Sequence, residues 1–285
     1  MFGFLNVYKP KGMTSHDVVS VLRKVTGVKQ IGHTGTLDPF AQGVLPVCIG
    51  KATRLIEYLE DDKAYLGRFC FGKSTTTYDI EGDTVKEFST PIKKKDIIHA
   101  SGNFMGEIEQ TPPAYSAIKV KGKKLYEYVR EGKTVEIKSR KVRIDKFELI
   151  SFDAETQSAE IYIECSKGTY IRSIANDLGG KLNNGCYLSE LKRTKSGRFC
   201  VENSILLEDI KTDKDALGHL INPIEYLPQP CQELNEVEYE RISHGQTVYN
   251  RIKVKSGTVI LTKGDQIAAV SKCTSDGLKA EKVFI

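Results

Sequence analysis

The sequence predicts an α+β fold carrying a small β appendage. Three observations lead there: apolar residues at helical spacing in two separated stretches, alternation in two others, and a change to short alternating segments after about residue 228. With 285 residues and 40% hydrophobic composition the chain can bury at least one full core.

From Ser15 to Gly27, Val18, Val19, Leu22 and Val25 recur at helical spacing, with Thr14 or Ser15 as cap and Gly27 as stop. Tyr65 to Phe71 alternates and reads as a strand, whereas "STTTYDIEGDTV" is turn-rich and polar, which puts Asp79 in a loop. "AEIYIECSKGTYIRSIANDLGGKL" reads as a strand, a Lys-Gly turn and a helix capped near Thr169. The buried face of that helix is Ile171, Ile174, Ala175 and Leu178, so Arg172 is expected on the exposed side of its first turn. After "INPIEYLPQPCQEL", segments such as "RIKVKSGTVILTKGDQIAAVSKC" predict an all-β unit at 229–285. A unit of that size is poorly stable alone and is expected to pack on the body formed by 1–228.

Several classes are disfavoured. No apolar run approaches the roughly 18 residues of a membrane helix, and "MFGFLNVYKPKGMTSHD" lacks the pattern of a secretory signal, so a cytoplasmic protein without membrane association is expected. The seven cysteines are scattered with no C-x-x-C pair, which predicts reduced thiols and no metal site. "GRFCFGKS", Gly67 to Ser74, matches the phosphate-loop pattern literally. Its bulky alternating residues read as a strand, however, and no good helix former follows, so nucleotide hydrolysis is not expected.

The net charge of +5 is unevenly placed. Between Lys119 and Lys146 eleven Lys/Arg stand against four Asp/Glu, with Tyr126 and Tyr128 interleaved. Such a stretch suits a surface that neutralises phosphates and offers rings to bases; a solvated alternating hairpin would read the same way.

The segment "GHTGTLDPFAQGVLPVCIG" holds a single carboxylate, Asp38, among apolar residues. A turn aspartate before proline is commonplace. Here, though, glycines at 32, 35 and 43 permit close approach or unusual dihedrals, Pro39 stiffens the chain, and His33 and Thr36 add polar groups. A carboxylate so held can serve as a preorganised nucleophile, provided a cation keeps it ionised; Arg172 is the candidate.

The blocks "NVYKPKGMTSHDVV", "GHTGTLDPFAQGVLPVCIGKATR", "KAYLGRFCFG", "PPAYSAIKVKGKKLYEYVREG", "CSKGTYIRSIANDLG" and "YLSELKRTKSGRF" resemble, in order and spacing, segments of the TruB family of bacterial tRNA pseudouridine synthases, over about residues 5 to 200. The α+β architecture rests on this resemblance more than on periodicity: it implies a mixed, largely antiparallel sheet with flanking helices, an RNA-contacting insertion at about 60–115, and a C-terminal β unit of the PUA type. It implies an isomerase acting on the T-loop uridine 55 of tRNA without cofactor or metal. It further implies an enzyme that binds the T-arm as a monomer with no obligatory protein partner. By the same resemblance Asp38 is the catalytic acid, Tyr65 stacks on the extruded uracil, and Arg172 pairs with Asp38. Tyr170 and Leu191 contact the base, His33 helps seat it, Lys9 and Pro10 support the active-site loop, and Asp79 is a loop acid associated with RNA contact. Thr76 departs from the commoner Asp, Phe40 and Gln42 from Leu and Thr, and Lys192 from Arg. The alternatives are a guide-RNA-dependent relative acting on ribosomal RNA and a non-enzymatic RNA chaperone using the same surface.

Overall fold

The computed structural model describes residues 1–116, 118–120, 122–133 and 135–285; for Lys119, Lys124, Tyr126 and Arg130 it describes the backbone alone, so the expected ring of Tyr126 lies outside the described residues. Strand β1 (Gly3–Lys9) leads through a turn to α1 (Ser15–Thr26). Thr14 caps α1 through a reciprocal box: Asp17 N donates to Thr14 Oγ1 at 3.1 Å and Thr14 N donates to Asp17 Oδ2 at 2.8 Å. Gly27, at φ 68°, ends it. The apolar stripe of α1 buries Val18, Val19 and Leu22 against Leu5 and Val7 of β1 and Leu45 and Val47 of a later strand.

Next come β2 (Ile31–His33), β3 (Gln42–Ile49), a 3₁₀ segment at Gly50–Tyr58, and β4 (Lys63–Phe71). The polar stretch after β4 folds as a small hairpin, β5 (Lys73–Thr75) with β6 (Thr84–Glu87), and is followed by α2 (Lys94–Ser101) and β7 (Gly106–Gln110). The phosphate-loop match is thus strand followed by strand, with Lys73 ion-paired to Glu87 at 3.3 Å, and has no helix N-terminus to cradle phosphates. Two short strands, β8 (Lys119–Val120) and β9 (Lys123–Lys124), precede α3 (Leu125–Arg130). The long hairpin β10 (Arg140–Asp153) and β11 (Ser158–Cys165) follows, then α4 (Ile171–Lys181), β12 (Cys186–Ser196), β13 (Phe199–Cys200), β14 (Ile205–Leu206) and α5 (Asp213–Gly218).

Among the described residues one large sheet runs β14-β1-β3-β12-β4-β11-β10-β7, with β2 attached to β3 and β13 to β12. It is mixed and largely antiparallel, as the resemblance implies; β1–β14 and β12–β3 are its parallel pairs. Strand β12, late in the chain, wedges between β3 and β4, which sets Arg193 opposite Tyr65 and Leu191 opposite Gly67. Helix α4 packs Ile171, Ile174, Ala175 and Leu178 onto Phe69, Leu188 and Leu191, the face expected from its spacing. Each such aliphatic side chain contributes about 1.5–3 kcal/mol of burial.

Two local expectations are corrected. The N-cap of helix α4 is Tyr170, one residue beyond Thr169, and carries no side-chain cap, while Thr169 Oγ1 donates to Ser166 O at 2.8 Å. Arg172 is not exposed. It does lie off the apolar face of α4, but the loops bearing Asp38, Thr77 and Tyr115 fold over it and leave its side chain 5% exposed. Helical spacing reports only which face meets the helix's own core and carries no information about distant loops.

The C-terminal segment forms a second sheet, β15 (Cys231–Glu233), β16 (Thr258–Lys263), β17 (Gln266–Thr274) and β18 (Gly277–Val283), in that order. It is not all β: Asn235 and Glu238 build a capping box that starts α6 (Glu236–Ser243). Ile260, Ile267 and Val270 pack with Phe4, Val44, Leu55 and Phe199 of the body, so the small sheet completes its core on the large one. All seven cysteines are free thiols. Among the described residues no helix is long and apolar enough to cross a membrane.

Candidate active site

Asp38 sits in the loop between β2 and β3, and four residues brace that region. Lys9 Nζ, at the end of β1, donates to the carbonyls of Pro10 (2.8 Å), Met13 (2.6 Å) and Pro39 (3.4 Å). Ser15 Oγ donates to Leu37 O at 3.1 Å and accepts from Leu37 N at 2.8 Å. Gly12 N donates to Pro39 O at 2.9 Å. From β12, Arg193 donates to the carbonyls of Val44 (2.7 Å), Gly35 (3.1 Å) and Thr36 (3.4 Å). Of the three glycines singled out in this segment, Gly43 is the one the backbone demands. Its φ is +108°, and a Cβ there would fall 2.3 Å from Arg193 O.

Arg172 joins two carboxylates. Its Nε lies 2.9 Å from Asp38 Oδ2, its Nη2 donates to Asp38 Oδ1 at 3.2 Å, and its Nη1 lies 3.2 Å from Asp79 Oδ2. The carbonyls of Thr77 and Tyr115 accept from the same guanidinium at 3.1 and 3.0 Å. Asp79 is anchored in turn, its Oδ1 accepting from Thr77 Oγ1 at 2.5 Å and Glu81 N at 3.0 Å. The cation foreseen for Asp38 is therefore present but shared. Burial pushes the Asp38 carboxyl above the usual range, Arg172 pulls it down, and the Asp79 carboxylate pushes it up again. The net direction is upward, because one guanidinium cannot fully compensate two carboxylates that have both lost solvent.

These groups open onto a cleft of about 580 Å³ lined by Asp38, Tyr65, Tyr170, Arg172 and Leu191 among others, a size that accommodates a nucleotide-scale ligand. Tyr65 is buried on β4, and burial raises its hydroxyl's pKa while the adjacent Arg193 guanidinium opposes the rise. Leu191 presents an apolar wall from β12. Tyr170 is clamped at its backbone by Gln110, which accepts from its N–H at 2.8 Å and donates to its carbonyl at 3.0 Å. The Arg140 guanidinium lies 4.8 Å over the Tyr170 ring.

Of the residues singled out from sequence, Asp38, Tyr65, Tyr170, Arg172 and Leu191 thus converge on one cleft. Lys9 and Pro10 do not line the cleft: Lys9 reaches Pro39 of the Asp38 loop, and Pro10 meets Lys9 through its carbonyl. His33, on β2, is not among the cleft-lining residues; burial and the nearby Arg193 lower its pKa. Asp79 turns inward onto Arg172 and is buried, although it lies in the predicted loop. In the basic stretch, Lys123, Lys141, Arg143 and Lys146 pair with Glu131, Glu107, Asp145 and Glu148, so part of it is the solvated, charge-alternating surface. Arg193, Lys63 and Gln110 were missed. The first two had a usable signal: at i, i+2 spacing, Arg193 shares a strand face with Leu191, and Lys63 shares one with Tyr65.

The structure matches along its whole length a solved structure titled "Crystal Structure of a Cbf5-Nop10-Gar1 Complex", with TM-score 0.69 and 25% identity, covering 85% of that chain; the fold is that of the pseudouridine synthases. Residues 23–171 match the TruB family pseudouridylate synthase N-terminal domain, and residues 172–228 match the tRNA pseudouridylate synthase B C-terminal domain. Curated relatives named tRNA pseudouridine synthase B include those of Carboxydothermus hydrogenoformans, 44% identical over 100% of this chain and 99% of the relative, and of Clostridium tetani, 38% identical over the whole of both. The chain belongs to the TruB family of pseudouridylate synthases.

Proposed function

We propose that the chain is a tRNA pseudouridine synthase that isomerises uridine 55 in the T loop, with Asp38 as the nucleophile. The observation that carries this reading is the convergence of Asp38, Arg172 and Tyr65 on one nucleotide-sized cleft. The reaction is redox-neutral: the N1–C1′ bond of the nucleoside is exchanged for C5–C1′, a proton leaves C5 and one arrives at N1. Asp38 attacks C6 of the base or C1′ of the ribose, and Tyr65 stacks on the uracil, its hydroxyl assisting removal of the C5 proton. Tyr170 and Leu191 bracket the base; Lys9 and Pro10 hold the loop.

A uridine inside a folded loop must be everted first, at a cost of a few kcal/mol that stacking on Tyr65 and phosphate contacts offset. Residues 1–228 supply the catalytic body in this reading, and 229–285 a PUA-like surface for the tRNA, in the cytoplasm where tRNA is modified. The high coverage by relatives named tRNA pseudouridine synthase B favours a tRNA enzyme over a guide-RNA-dependent particle, and in this reading it acts alone as a monomer.

The test is to incubate the purified chain with a bare T-arm hairpin and map pseudouridine. Conversion at uridine 55 alone is expected. No conversion without added guide RNA or protein would overturn the stand-alone reading.

A further inference from the structure

Lys63 is a cation that the chemistry above leaves unassigned. It opens β4 and shares a strand face with Tyr65 two residues later. It lines the same cleft, is 8% exposed, and its ammonium has no hydrogen-bond or ion-pair partner among the described residues. The two aspartates whose charges act on it are already engaged: Asp61 with Lys167 at 2.5 Å and Asp62 with Arg143 at 3.8 Å.

Its neighbour is a second cation. Arg193 is 1% exposed, and its guanidinium donates to backbone carbonyls, with no carboxylate in contact among the described residues. The two side chains meet beside Gly35, whose missing Cβ would sit 3.8 Å from Lys63 Cε and 3.7 Å from Arg193 Nη1. Two adjacent, desolvated positive charges without a counter-ion are unfavourable in the free protein and become favourable once an anion enters. Burial and Arg193, outweighing Asp61, Cys165 and Asp62, lower the Lys63 pKa to about 8, the mark of a charge short of a partner.

We propose that Lys63, backed by Arg193, seats a backbone phosphate adjoining the everted nucleotide while its base stacks on Tyr65. Residues two apart on a strand place their side chains about 6–7 Å apart, comparable to the separation of a nucleobase from its own phosphate. The proposal rests on the RNA-modifying reading above and adds a named phosphate contact to it. A positive point charge in the cleft positions the nucleotide without reading its sequence.

The test is a cycle between Lys63→Gln and single methylphosphonates at the phosphates flanking the target uridine of a T-arm hairpin. Binding is read by fluorescence anisotropy in an Asp38→Asn background, so the contact is measured whether or not the wild-type chain isomerises this RNA. Turnover by the wild-type chain tests the functional reading separately. Lys63→Gln is expected to weaken binding about tenfold and to flatten the salt dependence by about one phosphate contact. One methylphosphonate should weaken the Lys63 protein about as much, yet less than twofold further in the Gln variant, and Lys63→Arg should retain most of the affinity. Multiplicative effects at every flanking phosphate, or unchanged affinity in Lys63→Gln, would overturn the proposal.

Discussion

Arg193 lies directly across the β4–β12 ladder from Tyr65, and its guanidinium counters the effect of burial on the tyrosine hydroxyl. The same guanidinium holds the carbonyls of Gly35, Thr36 and Val44 on both sides of Asp38. One buried side chain thus ties Tyr65 to the loop carrying Asp38. The hydroxyl of Tyr65 is expected to act in proton transfer, whereas its ring acts in binding. Tyr65→Phe should leave T-arm affinity within about twofold and lower the single-turnover rate by 10²-fold or more, in the range of general acid–base catalysis. Tyr65→Ala should also weaken binding, by about 1–3 kcal/mol of lost stacking. A near-wild-type rate in Tyr65→Phe would confine the residue to stacking.

Asp38→Asn keeps the shape of the loop and removes the proposed nucleophile. Tritium release from C5-labelled uridine in tRNA should vanish, while tRNA affinity stays within a few fold. Unchanged release would defeat the catalytic assignment, and a parallel loss of binding and release would favour a chaperone-like surface.

Asp79 raises the pKa of Asp38 through like-charge repulsion across Arg172. As the proposed nucleophile Asp38 must be ionised to attack, so activity is expected to fall as pH drops through its raised pKa. Asp79→Asn removes the repulsion and leaves Arg172 to Asp38 alone. The acid limb of the kcat/KM profile should then move to lower pH. A limb that stays put or moves up would show that Asp79 does not act on Asp38 in this way. The same variant should lose about 1–3 kcal/mol of stability in denaturant titration, because a charge-assisted contact to a buried guanidinium becomes a neutral one.

Gly43 tolerates no side chain. A Cβ would strain its backbone and fall 2.3 Å from Arg193 O, separating β3 from β12 where they pair. Gly43→Ala is expected to cost about 2–4 kcal/mol, from left-sided backbone strain and overpacking together. Gly32→Ala, whose Cβ would meet only ordinary contacts at 3.6 Å, should melt within a few degrees of wild type.

The sequence by itself determined the elements whose causes are local. Thr14, Asp17 and Gly27 bound α1, alternation marks β4 and β11, and the apolar face of α4 follows from its spacing. The resemblance supplied Asp38, Tyr65 and Arg172, and the structure brings all three to one cleft. Tertiary structure alone decided the insertion of β12 between β3 and β4, a parallel pairing across some 150 residues that no local signal encodes. That insertion buries Arg193 behind the Asp38 loop and faces it to Tyr65. Folding also turned Arg172 and Asp79 from apparent surface charges into a buried pair. Periodicity specifies which face a side chain leaves from, whereas charge balance and pKa depend on what distant chain arrives opposite it.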